Sequence, residues 1–336
     1  MNRTTLRLLA FVVAVLVAAL LLSEMDDGGE LPGAGTPLLP DLRSVANDVD
    51  TVNVTRGGDP ALTLSKIDDG WVIPDRGNYP ADVAKIRDLL VAMTEATVVE
   101  AKTANPALHD SLGVDTPDDE ASKGVLISAI AGEQSFDVVF GNVAQRDFRY
   151  ARVADQDQSW LIDQNPDIPG DAGDWLNQDI IDLNADQVQS VTIEHADGET
   201  ISISKASADE SGFTVADIPE GRELSYSTVA NGIGGALNDL DLDDVREASP
   251  AEAETVARFE TFDGVRIDTA VTTDDAGKWI ALEIHLPADV TTDGAESWQE
   301  TARRVEGWQY RIADYKANLL TRRWEDILKE PETADE

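Results

Sequence analysis

The stretch that decides the fold is residues 49–73, VDTVNVTRGGDPALTLSKIDDGWVI, where apolar and polar side chains alternate on both sides of the Gly57–Pro60 turn. Alternation with a period of two indicates β-strands, and a turn rich in glycine, aspartate and proline between two such runs indicates a hairpin. A similar stretch returns at residues 188–215, VQSVTIEHADGETISISKASADESGFTV, with its turn at Asp197-Gly198. We therefore predict one structural module that occurs twice in the chain.

The two copies continue in the same way. Apolar residues at helical spacing predict an amphipathic helix over Pro80–Ala96 in the first copy and over Ser227–Leu240 in the second. Further strands are predicted over 124–130, 135–140, 148–153 and 159–162, and over 256–262, 265–272, 279–286 and 307–312. Each copy then closes on a short tryptophan-containing helix, at 174–181 and at 323–328. The predicted fold class is α+β, with two tandem copies of an antiparallel-sheet-plus-helix module after an N-terminal transmembrane helix.

The first residues have the pattern of a membrane anchor. An unbroken apolar run extends from Leu8 to Leu22, Arg3 and Arg7 precede it, and acidic residues follow it. We predict that residues 6–23 cross the membrane once as an uncleaved signal anchor, with the basic end cytoplasmic. A cleaved signal peptide is the alternative, although no convincing small-x-small cleavage site follows the run. The expected location is the inner membrane, with the bulk of the chain periplasmic or otherwise extracytoplasmic.

The predicted organisation follows from these patterns. Residues 1–23 form the cytoplasmic stub and anchor, 24–41 a flexible acidic linker, 42–183 the first α+β domain, 184–330 the second, and 331–336 an acidic tail.

Composition excludes several classes of function. The chain has 65 acidic and 26 basic residues, a formal net charge of −39, and no cysteine. Such a charge repels phosphate backbones, so we predict no nucleic-acid partner. Without cysteine there can be no disulfide, thiolate metal site or thiol nucleophile. Because salt screens carboxylate repulsion, the charge favours a halophilic protein over a mere solubility bias.

Residues that could carry chemistry are few, and each has a structural explanation. His109, His195 and His285 are far apart in sequence and are expected in turns or strands. The run Asp239–Asp244 could supply calcium ligands, but it lacks the spacing and the glycine of an EF-hand loop. Gly232–Gly235 is interpreted as close packing rather than a phosphate cradle, and the seven tryptophans as core anchors rather than a sugar-stacking surface. We predict no catalytic, cofactor-binding or metal-binding residues and no cofactor.

The order of motifs in the first copy resembles a known bacterial family. These motifs are Gly70-Trp71-Val72-Ile73, Tyr79-Pro80-Ala81-Asp82, the segment LHDSLGVDTP at 108–117 and the turn Phe140-Gly141-Asn142. Together they resemble the DUF4340 family of membrane-anchored proteins of unknown function. Members are often encoded beside ABC-type transporters that resemble the gliding-motility system. The resemblance implies an accessory protein of a membrane transport or envelope complex, and it implies no catalytic residues.

Two functions therefore compete, and neither is enzymatic. The first is a membrane-anchored extracytoplasmic accessory protein, a subunit or partner of an ABC-type transport or envelope complex. The alternative is a periplasmic ligand-binding or glycan-binding module that uses the cleft between the two repeats, since paired domains favour clefts at their interface. A hydrolase with paired carboxylates is the weakest hypothesis.

Overall fold

A computed structural model describes residues 33–68, 70–145, 147–249, 252–287 and 295–330. The predicted anchor at residues 6–23, the start of the linker and the tail at 331–336 lie outside these ranges. Within them, none of the helices combines the length and the apolar character that a membrane crossing requires.

Two antiparallel sheets make up most of the described chain. The first contains β1 Thr51–Thr55, β2 Leu62–Ile67, β3 Gly70–Ile73, β4 Tyr79–Pro80, β5 Val98–Ala101, β6 Val125–Ala131, β7 Gln134–Gln145, β8 Phe148–Val153 and β9 Ser159–Ile162. The second contains β10 Asp179–Ile181, β11 Val188–His195, β12 Thr200–Ser204, β13 Thr214–Val215, β14 Leu240–Glu247, β15 Thr255–Thr261, β16 Arg266–Asp274, β17 Gly277–His285 and β18 Trp308–Ile312.

The helices are short and few among the described residues. They are α1 Leu42–Val45, α2 Val83–Glu95, α3 His109–Leu112, α4 Asn231–Gly234, α5 Ala295–Val305, α6 Asp314–Leu320 and α7 Trp324–Ile327. The longest, α2, begins three residues after the predicted start at Pro80, because Tyr79–Pro80 forms strand β4 and Asp82 caps the helix, accepting hydrogen bonds from the backbone N–H groups of Ala84 and Lys85. Its buried face, with Ile86, Leu89 and Met93, packs into the first half of the molecule.

The two sheets share one strand order. The first runs β4-β3-β2-β1-β6-β7-β8-β9-β5, and the second, in the matching direction, runs β13-β12-β11-β15-β16-β17-β18-β14-β10. Eight strands therefore correspond one to one, from β3 with β13 to β5 with β14. Strand β4 in the first sheet and strand β10 in the second have no counterpart. The α+β class with two antiparallel sheets is confirmed, and the shared order is what a repeated module would produce.

The predicted helix over 227–240 is wrong in most of its length. Only Asn231–Gly234 is α-helical, and strand β14 begins at Leu240. Three glycines lie in this stretch, and each costs about 1 kcal/mol in a helix relative to alanine. The sequence after Leu240 alternates: Leu240 and Leu242 are buried and Asp241 and Asp243 are exposed. Asp241 and Asp243 of the acidic run are thus on the solvent side of a strand.

The predicted tryptophan helix at 174–181 is also wrong. Residues Ala172–Trp175 form a 3-10 turn, and Asp179–Ile181 form β10, which pairs with β14 of the second sheet. The corresponding helix near Trp324 is present as α7. The domain limit at 183/184 stays a prediction, although pairing with the second sheet already begins at Asp179.

Candidate functional site: the junction of the two halves

We call β1–β9 with α1–α3 the first half and β10–β18 with α4–α7 the second half. Tyr79 of the first half is 2% exposed, and its ring lies edge-on against Trp308 of the second half at 5.1 Å between centroids. Tyr310 lies 6.1 Å away in the same geometry. Burial raises the pKa of both tyrosine hydroxyls. An aromatic cluster therefore joins the two halves.

The turn that carries Tyr79 needs a left-handed residue next to the second half. Gly77 has φ +66°, and a β-carbon there would lie 3.2 Å from the Trp308 ring. Only glycine combines this φ with so close an approach at little cost. The adjacent Arg76 donates from Nε to Asp244 Oδ1 at 2.6 Å across the junction. Arg76 was not singled out from the sequence; the available signal was the Gly77-Asn78 turn between Arg76 and Tyr79.

A polar cleft of about 560 Å³ opens beside this ion pair. The segments Asp171–Asp174 and Lys278, Arg311 and Asp314 also line it. Among the described lining residues five aspartates face three basic side chains, so the cleft is acidic, like the chain as a whole. The cation Lys278 is bonded to Asn318 and Thr321 at 2.8 and 3.0 Å.

A second group of charges lies where β10 meets β14. Burial raises the pKa of Asp241, and the carboxylates of Asp179 opposite it and of Asp239 add to the effect. Lys316 donates to the carbonyl of Asn238, and burial lowers its pKa. Within the described ranges no group of three or more acidic or histidine side chains could hold a metal ion. The described side chains of Asp239–Asp244 are therefore not arranged as a set of metal ligands.

His195 and His285 lie in strands, as predicted, whereas His109 begins helix α3 instead of lying in a turn, and each ring is close to a structural partner. The His195 ring, 7% exposed, lies 2.9 Å from Thr255 Oγ1 and 3.0 Å from the carbonyl oxygen of Arg322. His109, also buried, lies 2.8 Å from the carbonyl oxygen of Asp157. His285 is in β17, 3.3 Å from Asp268. Each ring contributes to local packing or pairing.

The tryptophans also serve packing. Trp71, Trp160, Trp175 and Trp279 are buried, and Trp298, Trp308 and Trp324 are half-buried against the core. The described lining of the cleft between the halves contains none of them. A stacking platform for sugars is therefore missing from this cleft.

The glycine cluster 232–235 is confirmed as a place of close packing. A β-carbon at Gly234 would lie 2.1 Å from the Phe213 ring, well inside van der Waals contact. Phe213 corresponds to Trp71 of the first copy in the predicted repeat. Glycine here lets the chain approach that ring.

The comparisons with known proteins bear on the family. A family model described as "Domain of unknown function (DUF4340)" matches residues 71–258, from β3 of the first half into β15 of the second. The match covers more than half of the chain. No curated protein matches the chain. The chain therefore belongs to the DUF4340 family.

Proposed function

We propose that this protein is a non-enzymatic accessory subunit, anchored by residues 6–23 in the inner membrane, whose exported halves dock on an ABC-type transport or envelope complex. The anchor comes from the sequence pattern Leu8–Leu22 with basic residues before it and acidic residues after it. The kind of partner comes from what resemblance to the DUF4340 family implies. Both the anchor and the kind of partner are thus argued from the sequence and the family, and not from the described fold.

One observation within the fold carries the non-enzymatic part of the proposal. Four of the described side chains that could serve in catalysis are committed to structural bonds. His195 and His109 are buried against backbone carbonyls, Arg76 is bonded to Asp244, and Lys278 to Asn318. A general base must be free to reach a substrate proton, and the rings of His195 and His109 are not.

The junction supports a scaffold role. Tyr79, Trp308 and Tyr310 join the halves by ring contacts, and the Arg76–Asp244 pair adds a bond. Buried hydrophobic residues of both halves belong to one core cluster. A body with a continuous core presents fixed surfaces to a partner, which is what an accessory subunit requires.

The experiment is gentle solubilisation of membranes that contain the full chain, with chemical crosslinking and affinity purification. We expect specific co-purification of integral-membrane transporter subunits with the chain. A variant lacking residues 6–23 is the matched control and should leave the membrane fraction. Recovery of a lone monomer after crosslinking, with the chain otherwise intact, would refute the proposal.

A further inference from the structure

The outer face of the first sheet is covered by the chain's own segment. Leu126, Val139 and Arg152 form one cross-strand row on β6, β7 and β8, on the face opposite the core. Arg152 is 4% exposed and donates to the carbonyl oxygen of Val114 at 2.8 Å and to Thr116 Oγ1 at 2.9 Å. Val139, beneath the same segment, is fully buried. An extended piece of chain thus lies across this row.

The second sheet has the same row, and no described segment of the chain covers it. This row runs across β15, β16 and β17 and consists of Val256, Ala270 and Ala281. It is at the matching position, because Val256 lies five residues before the end of β15, as Leu126 does in β6. Residues 102–124 connect β5 to β6 in the first half, whereas only 248–254 connect the corresponding β14 to β15. Among the described residues of the second half, the covering segment of the first half therefore has no counterpart.

The described residues leave a groove over this second row. Its volume is about 650 Å³, and Ala302, Arg303 and Glu306 at the end of α5 form its far wall. Val256, Ala270 and Ala281 are half-buried, in contrast to the buried Val139 and Arg152. The floor is apolar and the side chains on it are small, so there is room for side chains from another segment.

The rim of the groove is acidic. Asp268, Glu283 and Glu306 contribute three carboxylates against the single cation of Arg303. Asp268 is held by Arg258 and Arg266, at 3.0 and 3.4 Å, whereas the Glu283 side chain is 76% exposed. On a chain of net charge −39, an approaching basic segment is attracted and an acidic one is repelled.

We propose that this groove binds an extended segment of a protein partner, with small apolar side chains toward the sheet and lysine or arginine at its flanks. The inference rests on the proposed function, since the partner is the complex on which the protein docks, and it names the surface and the chemistry of that docking. The first half supplies the precedent, because Val114–Thr116 occupies the matching row there.

The test uses the full chain in its native membrane with a photo-crosslinking benzoylphenylalanine at Arg303, on the wall of the groove. The same amino acid at Glu210, exposed and remote from the groove, is the control. Mass spectrometry should map the Arg303 adduct to a partner segment that is apolar with basic flanks. The synthetic peptide of that segment is then titrated against the purified full chain.

Groove variants decide the outcome. Ala270→Phe fills the floor and should weaken peptide binding roughly tenfold or more, and Glu283→Lys with Glu306→Lys about tenfold. Ser202→Phe, half-buried on the same face of β12, should change neither binding nor fold, since aromatic residues suit strands. Co-purification of a partner without an Arg303 adduct, an adduct to this chain itself, or equal losses in Ala270→Phe and Ser202→Phe would overturn the inference. In the first of these cases the proposed function would still stand.

Discussion

Replacing Tyr79 by alanine is the sharpest test of the junction between the two halves. The side chain is 2% exposed and packs edge-on against Trp308 and Tyr310, which belong to the other sheet. The substitution removes the ring from a site where neither half can close the space alone. We expect both a loss of stability and a loss of coupling between the halves.

The magnitude follows from the burial and the ring contacts. Truncation of a buried aromatic residue to alanine costs about 3–5 kcal/mol of unfolding free energy, which includes the cavity term. Each edge-on ring pair contributes ~0.5–1.5 kcal/mol beyond area burial, and two such pairs are lost. We therefore expect Tyr79→Ala to lower the unfolding free energy by an amount near the middle or top of the range of about 3–5 kcal/mol. At ~2–4 °C per kcal/mol for a chain of this size class, the thermal midpoint should fall by about 10 °C.

The assay is urea and thermal unfolding of the chain from residue 33 onward, followed by tryptophan fluorescence and circular dichroism. Tyr226→Ala and Tyr315→Ala are matched controls, because these side chains are 60% and 66% exposed. Each control should stay within about 0.5 kcal/mol of the unsubstituted chain. In Tyr79→Ala the two probes should cease to coincide, as the halves unfold separately. A Tyr79→Ala change no larger than that of the controls, with coincident transitions, would refute the reasoning.

Three further predictions concern packing, acidity and salt. Gly234→Ala should destabilise the fold by about 1–3 kcal/mol, because the new β-carbon would lie 2.1 Å from the Phe213 ring. The control Gly235→Ala, whose β-carbon would have its nearest neighbour at 3.5 Å, should be neutral, and equal denaturation midpoints for the two variants would contradict this. Because partial burial and the neighbouring carboxylates raise the folded pKa of Asp241, its ionisation costs folding stability at neutral pH. Asp241→Asn should therefore raise the thermal midpoint at pH 7, and the gain should shrink as pH falls through that pKa; a pH-independent gain, or the same gain in Asp243→Asn, for which Asp179 is not the paired residue, would argue against it. The thermal midpoint should rise from about 0.05 to 3 M sodium chloride, since the Debye length shrinks from ~10 Å at 0.1 M to ~3 Å at 1 M, and a flat or falling curve would exclude adaptation to salt.

Local pattern was sufficient for the strands and for the family. Period-two alternation places β1, β2, β11 and β12 correctly, because each strand buries one face and must place apolar side chains on that face only. The α2 helix followed from its apolar spacing behind Tyr79, although it begins at Val83 and not at Pro80. The failures came where a local signal was mixed. Around 227–240 the apolar spacing favoured a helix, whereas the glycines and the alternation after Leu240 favoured what the structure has.

The sequence by itself determined the α+β class, the two antiparallel modules and the acidic surface, because these depend on which residues are apolar and at what spacing. Only the tertiary structure decided what the modules do to each other. That Tyr79 and Arg76 meet Trp308 and Asp244 depends on how two distant turns are placed. The open row at Ala270, where the first half is covered by its own chain, depends on sheet register and on loop paths. Such contacts join residues far apart in sequence, and no periodicity within one segment encodes them.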